Sequence, residues 1–401
     1  MIPKDFLLGG IHCGIAKKFQ KKDLALLYSK KPAKAYGMFT SNLCKAAPVL
    51  VSQKHLKMNK TNVRGIIANS GCANACTGLK GFKNAEEMCG LAGKSLGVKK
   101  ENFLVASTGV IGKHLPIEKI SKGIKILSGK IGFSKKDELS CVQAIMTTDT
   151  FTKISSGSFK IGNKKINIWG CVKGAGMIHP DLKKPHATML SFILTDANIS
   201  NKAVEKALSN SIEKSFNCVS VDGDTSTNDS VFLLANGAAG NSLIAESGKA
   251  FDIFSKNLLK VCLDLAKKLA RDGEGATKLI EIEVNGARDK NGAKKIASTI
   301  ATSPLFKTAI FGNDANWGRI MAAAGRSGVS FKPEKVDVWI GNVCVAKKGI
   351  GANFSEEKTK RILHNKEIKI TVNLNSGKES AKYYTCDFSF DYVKINASYR
   401  S

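Results

Sequence analysis

Arginine, histidine and acidic residues are all scarce in this chain of 401 residues. Arg occupies only seven positions, so 55 of the 62 basic side chains are Lys, against 33 Asp and Glu, and the formal net charge is +29. Such a charge suits nucleic acid, an anionic surface or a basic solvated shell. Phosphate and base readout favour the Arg fork, and no stretch interleaves basic with aromatic residues, so a nucleic-acid partner is not expected. The six His (12, 55, 114, 179, 186 and 364) include no HxxxH pair, which disfavours a His-based metal site or a His-centred triad. No metal is expected. Eleven Cys is an odd count, scattered singly except for Cys72 and Cys76, and spells neither a disulfide framework nor a CxxC zinc pair. Reduced thiols are expected, with Cys72 and Cys76 as small buried residues in a Gly-Ala turn. No apolar run approaches the roughly 18 residues needed to span a bilayer, and MIPKDFLLGGIHCG is too weakly apolar for a signal peptide. The expectation is a cytoplasmic protein with no membrane partner.

What the chain does have is a hydrophobic content of 43%, enough for one large or two ordinary domains with real cores. Apolar strand-like runs alternate with amphipathic helix-like stretches, separated by Gly, Asn or Asp, and the class is α/β or α+β. Gly65 to Asn69 reads as a buried strand, Gly71 to Gly78 as a turn, Phe82 to Leu96 as a helix, and Phe103 to Ala106 as a strand running into Ser107-Thr108-Gly109. Further on, Lys202 to Phe216 and Phe251 to Ala270 read as helices, and Lys278 to Val284 and Val336 to Val345 as strands. Glu367 to Asn373 and Lys382 to Asp391, around Asn375-Ser376-Gly377, read as a hairpin. The stretch from Gly170 to Thr188, with small residues, two prolines and three lysines, is the best candidate for a boundary.

With His scarce and metal ligands absent, a nucleophile is to be sought among Ser, Thr, Cys and Lys. One activator that needs no imidazole is the chain's own α-amine, whose unperturbed pKa of about 7.7 to 8.0 lets an N-terminal Thr use it as a general base. Such a Thr must first be exposed by cleavage. Thr188 fits: a loop closes with small Ala187 and opens into the apolar run Met189 to Leu194, so a strained loop could let the Thr188 hydroxyl attack the preceding carbonyl, shift the acyl group from N to O and hydrolyse. On these residues alone, an ordinary strand start is the commoner reading of Ala-Thr before an apolar run.

KGAGMIHP from Lys173, followed by ATMLSFILTDANIS from Ala187, resembles the self-cleavage region of the glutamate N-acetyltransferase family, also called ornithine acetyltransferase, of cyclic arginine biosynthesis. So do GMFTSNLCKAAPVLVS from Gly37, ANSGCANACTG from Ala68, VASTGVIG from Val105, AIMTTDTF from Ala144, DGDTSTNDS from Asp222, ARDGEGATK from Ala270, GNDANWGRI from Gly312 and INASYRS at the C-terminus, in family order from near residue 10 to residue 401. The resemblance implies an α/β fold of mixed layers, related to the N-terminal-nucleophile aminopeptidases. It implies cleavage between Ala187 and Thr188 into an α chain (1–187) and a β chain (188–401), assembled as an α2β2 heterotetramer. Thr188 is then the acyl-accepting nucleophile, and Thr108 with Gly109 the oxyanion hole; from the residues alone, Ser107-Thr108 equally suits a helix N-cap. Thr147, Thr148, Lys173, Glu274, Asn396 and Ser401, together with Thr188, match the family's substrate-binding positions. Lys173 suits a carboxylate and Glu274 the ammonium groups of acetylornithine; unplaced, they would be a surface lysine and a solvated loop carboxylate. The TSTND stretch from Thr225 and the GNDANWGR stretch from Gly312 read as scaffold. The link between His179-Pro180 and Ala187-Thr188 runs about four residues longer than the family's usual one, and strain at Ala187 depends on that length.

The implied reaction transfers the acetyl group of N2-acetyl-L-ornithine to L-glutamate through acetyl-Thr188. It needs no cofactor, and acetyl-CoA enters as a substrate if the enzyme also acetylates glutamate directly. The alternative is an amidase or aminopeptidase on the same scaffold, in which water takes the acyl group.

Overall fold

The computed structural model describes residues 1–16, 21–179 and 189–398. In chain order it runs β1 (Phe6–Ile11), β2 (Leu24–Phe39), α1 (Ala47–Asn59), β3 (Val63–Asn69), α2 (Gly78–Leu96), β4 (Phe103–Ser107), α3 (Ile117–Ser128), α4 (Lys135–Ile145), β5 (Lys153–Ile161), β6 (Lys164–Lys173), β7 (Leu190–Thr195), α5 (Asn201–Glu213), β8 (Ser230–Ala235) and α6 (Lys249–Arg271). Next come β9 (Leu279–Ala287), α7 (Lys290–Ala301), α8 (Pro304–Phe311), α9 (Trp317–Gly325), β10 (Asp337–Ile340), β11 (Val343–Lys347), β12 (Ile350–Gly351), α10 (Glu356–Leu363), β13 (Glu367–Asn373), β14 (Glu379–Cys386) and α11 (Phe390–Ser398). The class is α/β, in mixed layers.

The strands form two sheets. The first has the order β4-β3-β2-β8-β7-β6-β5, with β1 beside β2. Its central strands β7 (LSFILT) and β8 (SVFLLA) are buried at every position, as strands covered on both faces must be. Alternate side chains divide between two layers: Ile168, Val172 and Ile193 pack with α5 and α6, while Trp169, Cys171, Phe192 and Phe232 pack with α4. Beyond β2, α2 and α3 cover Leu24, Leu26, Ile67 and Val105. The second sheet, β12-β11-β10-β13-β9-β14, buries Ile280, Ile282 and Val284 of β9 against α7, α8 and α9.

Four local readings change. Val336 to Val345 is not one strand: Gly341, at φ +58, turns the chain between β10 and β11, a conformation that glycine adopts without penalty. The segments either side of Asn375-Ser376-Gly377 do not pair as a hairpin. β13 lies parallel to β9 on one side and β14 antiparallel to it on the other, so β9 intervenes between them. The second segment also ends at Cys386, with α11 beginning at Phe390. Gly170 to Thr188 is no boundary, because β6 and β7 on either side of it are neighbours in one sheet. Finally, Ser107-Thr108 caps no helix, since Thr108 bridges to Cys72 and the next helix begins at Ile117. Cys72 is buried as expected, but Cys76 is exposed.

Candidate active site

One row of the first sheet sets the geometry. Lys173 at the end of β6 is the Cα partner of Leu190, Leu190 of Ser230, and Ser230 of Phe39. The strand ends of β6, β7, β8 and β2 therefore come together, and the loops leaving them enclose a cleft of about 260 Å³. Thr108, Gly109, Thr147, Thr148, Lys173, Glu274 and Asn396 all line it, together with Met189 and Leu190. Six separate segments of chain thus deliver these residues to one place. Ala187, Thr188 and Ser401 lie outside the described residues.

Thr108 and Gly109 sit where β4 ends. The Thr108 N–H donates to the Asn69 carbonyl at 3.0 Å, and the Asn228 amide donates to the carbonyls of Ser107 (2.8 Å) and Ala73 (2.6 Å). Gly109 has φ +129, and a Cβ there would lie 2.4 Å from the Gly71 carbonyl carbon and 2.6 Å from the Cys72 nitrogen. Only glycine fits this close passage. The segment is locked before any substrate arrives, as preorganised stabilisation of an oxyanion requires.

Lys173 is buried, and its Nζ donates to Thr108 Oγ1 at 2.9 Å. An ammonium has no acceptor site, so the Thr108 hydroxyl accepts from Lys173 and keeps its own proton for another acceptor in the cleft. Burial pushes the Lys173 ammonium below the usual lysine range, opposed by the carboxylates of Asp149, Asp229 and Glu274. Asp149, two residues beyond Thr147, accepts from Lys153 Nζ (2.6 Å), the Gly174 N–H (2.7 Å) and the Thr147 N–H (2.9 Å). Burial alone would raise its carboxyl, but Lys153 and Lys173 hold it down at about 2.

On the opposite wall, Glu274 is buried and accepts from the Asn396 amide at 2.9 Å. Asn396 is carried by α11, whose Tyr392 also lines the cleft and stacks on Phe388 with ring centres 4.7 Å apart. Asp222 accepts from the N–H groups of Met177 (2.6 Å) and Ile178 (2.9 Å), and burial raises its carboxyl. The arrangement offers a fixed hydroxyl and N–H pair, one cation and a facing carboxylate. It can hold a zwitterionic amino acid and stabilise negative charge developing near Thr108.

The family model for ArgJ matches residues 7–401. The chain belongs to the ArgJ family. A Thermotoga neapolitana protein named arginine biosynthesis bifunctional protein ArgJ is 46% identical over 404 residues, covering 100% of both chains. The Bacillus subtilis protein of the same name is 44% identical, covering 100% of this chain and 96% of the relative. Among solved structures, the ArgJ of Bacillus halodurans is 46% identical with a TM-score of 0.50, covering 51% of this chain and 96% of that one.

Within this ArgJ-family cleft, some lining residues were not singled out from the sequence. Ser226 to Asp229 belong to a stretch read as scaffold, yet they form part of the wall. Asp149, inside the TTD motif, is buried behind the lining rather than part of it; an acidic residue beside two hydroxyls is the available signal. Tyr392 carried no signal, because only packing of α11 turns it inward. The GNDANWGR stretch contributes none of the cleft's lining residues. Among the described residues no cluster of His, Cys, Asp or Glu could hold a metal.

Proposed function

We propose that this chain transfers the acetyl group of N2-acetyl-L-ornithine to L-glutamate through an ester on Thr188, after cutting itself before that residue. The observation that carries the reading is the convergence of Thr108, Gly109, Lys173 and Glu274 on one cleft whose wall resumes at Met189. Thr188 is a single peptide unit away, a Cα step of about 3.8 Å. Membership of the ArgJ family supports the chemistry. The half-length solved chain of the Bacillus halodurans relative is what a family member cut near its middle would present.

In processing, the Thr188 hydroxyl adds to the Ala187 carbonyl, the amide bond gives way to an ester, and water releases residue 187 and a free Thr188 amine. In turnover, that amine takes the hydroxyl proton as Thr188 attacks the acetyl carbonyl. The Thr108 hydroxyl, left free to donate by its bond from Lys173, and the Gly109 N–H receive the oxyanion. Collapse expels ornithine, whose α-nitrogen collects the proton from the Thr188 ammonium. Glutamate then enters, its α-amine attacks the ester, and N-acetylglutamate leaves with Thr188 restored. Lys173 holds the α-carboxylate of each amino acid in turn, and Glu274 the ornithine ammonium.

The relatives' word bifunctional supports a second donor, and we read it as acetyl-CoA loading the same Thr188, with no cofactor required. Two 187-residue and two 214-residue fragments would form the α2β2 assembly, placed in the cytoplasm; among the described residues no helix is long and apolar enough to cross a membrane. The test combines intact mass with acetyl transfer. Glutamate should accelerate loss of acetylornithine and appear acetylated; loss at the same rate with and without glutamate would instead assign the cleft to an amidase, with water as acceptor.

A further inference from the structure

Beneath the cleft lies a buried ionic cluster that none of the steps above uses. The side chains of Lys153 and Asp149 are wholly buried, and that of Asp272 nearly so. Lys153 Nζ donates to both carboxylates. Asp272 also accepts from the N–H of Thr150 at 3.1 Å and from its hydroxyl. The partners come from three segments of the chain. Asp149 and Thr150 lie in the turn that carries Thr147 and Thr148, Lys153 begins β5, and Asp272 stands two residues before Glu274. Through the Gly174 N–H, Asp149 also grips the residue that follows Lys173.

The charges are as telling as the bonds. Within the cluster two carboxylates share one lysine, and the next cation acting on Asp149 is Lys173. Uncompensated buried charge is costly. The groups facing Lys173 are Asp149 from the turn before β5, Lys153 from β5, Asp229 from the segment before β8, and Glu274 from the loop after α6, with Thr108 Oγ1 from the end of β4. Asp149 is the foremost of the carboxylates acting on it.

We propose that Asp149 is the positioning residue of this cleft: it ties the Thr147–Thr148 turn to the residue after β6, reaches the Glu274 loop through Lys153 and Asp272, and supplies the counter-charge that keeps Lys173 an ammonium. The inference rests on the functional reading only for what the ammonium holds. Its own content is physical. A cationic Lys173 can donate to Thr108 Oγ1 and to a substrate carboxylate at once. A neutral amine is a weaker donor, attracts no carboxylate, and could accept the Thr108 proton that the oxyanion needs.

The test reads Lys173 directly. Competitive labelling with limiting acetic anhydride, followed by mass spectrometry of the Lys173 peptide from pH 7 to 11, reports the fraction present as free amine in full-length protein. Asp149→Asn removes the counter-charge and should move that curve to lower pH by about one unit, a tenfold gain in free amine on the rising limb. Lys153→Gln removes a repelling cation while keeping a donor, and should move it to higher pH. Asp149→Glu should keep the curve near wild type. Opposite shifts from two members of one cluster are not what loosened packing produces. Curves superimposed on wild type, or displaced in the same direction, would overturn the proposal; should Asp149→Asn fail to fold, the direction of Lys153→Gln alone decides it. Acetyl transfer measured on the same proteins keeps the claims separate. Wild-type protein that cannot acetylate glutamate defeats the functional reading, whereas the labelling curves judge Asp149 whichever substrate the cleft takes.

Discussion

At the scale of single residues, the proposed mechanism places its heaviest demand on Thr188, whose one hydroxyl would serve both processing and turnover. Thr188→Ala is expected to remain a single 401-residue chain and to transfer no acetyl group, read by denaturing electrophoresis and by N-acetylglutamate formation; a cleaved Thr188→Ala would name another residue as the internal nucleophile. Thr108 and Gly109 differ from each other in what substitution does. Thr108→Ala removes one oxyanion donor and orphans the Lys173 bond, so kcat should fall by about 10²- to 10³-fold with the fold retained. Gly109→Ala places a Cβ 2.4 Å from the backbone of Gly71, so it should lower the melting temperature as well as kcat. Equal melting temperatures for the two variants would mean that the passage beside Gly71 is looser than its geometry indicates.

At the scale of elements, β7 is the strand that would position Thr188 in the proposed mechanism. Its Phe192 ring stacks on Phe232 of β8 at 5.9 Å, and Phe232 meets Phe39 of β2 edge-on at 5.6 Å. This aromatic row crosses three of the four strands whose ends come together at the cleft. Phe192→Ala should cost about 3 to 5 kcal/mol through the cavity it leaves, measurable by denaturant unfolding. Activity at temperatures where the variant remains folded should fall less than in Thr108→Ala. A catalytic loss exceeding that of Thr108→Ala would show that the row aims β7 rather than merely supporting it. The helices contribute differently: α11 buries none of its residues, yet it brings Asn396 and Tyr392 to the cleft.

At the scale of the whole molecule, a cut before Thr188 severs the chain inside one sheet. The fragment 1–187 holds β1 to β6 and the fragment 188–401 holds β7 and β8, with β6 pairing to β7 and β2 to β8. The fragments should therefore co-purify under native conditions and separate only in denaturant; native separation would contradict the sheet order. Kinetics belongs to this scale too. Donor and acceptor are both α-amino acids, and one cation, Lys173, lines the cleft among the described residues. A single pocket then takes them in turn, and double-reciprocal plots at several glutamate concentrations should be parallel. Acetylornithine alone should add one acetyl group to the fragment that begins at Thr188. Intersecting lines with an unmodified fragment would mean direct transfer between two bound substrates.

The amino-acid sequence by itself determined the class of the fold, because the alternation of apolar runs with helical periodicity is a local property. It also offered the candidates Thr108, Gly109, Lys173 and Glu274, through the resemblance of their contiguous motifs to a known family. Local pattern failed where partners come from far away. The strands either side of Asn375-Ser376-Gly377 read as a hairpin, and nothing nearby in sequence reveals that β9, some ninety residues earlier, lies between them. The same limit applies to the cleft. That Lys173 is buried rather than solvated, that its Nζ meets the Thr108 hydroxyl, and that Asp149, Lys153 and Asp272 share one buried site are consequences of sheet register and of loops closing over strand ends. Pairing energies gathered across hundreds of residues decide such contacts, so only the tertiary structure could bring residues 108, 173, 274 and 396 to one cleft with residue 149 buried behind it.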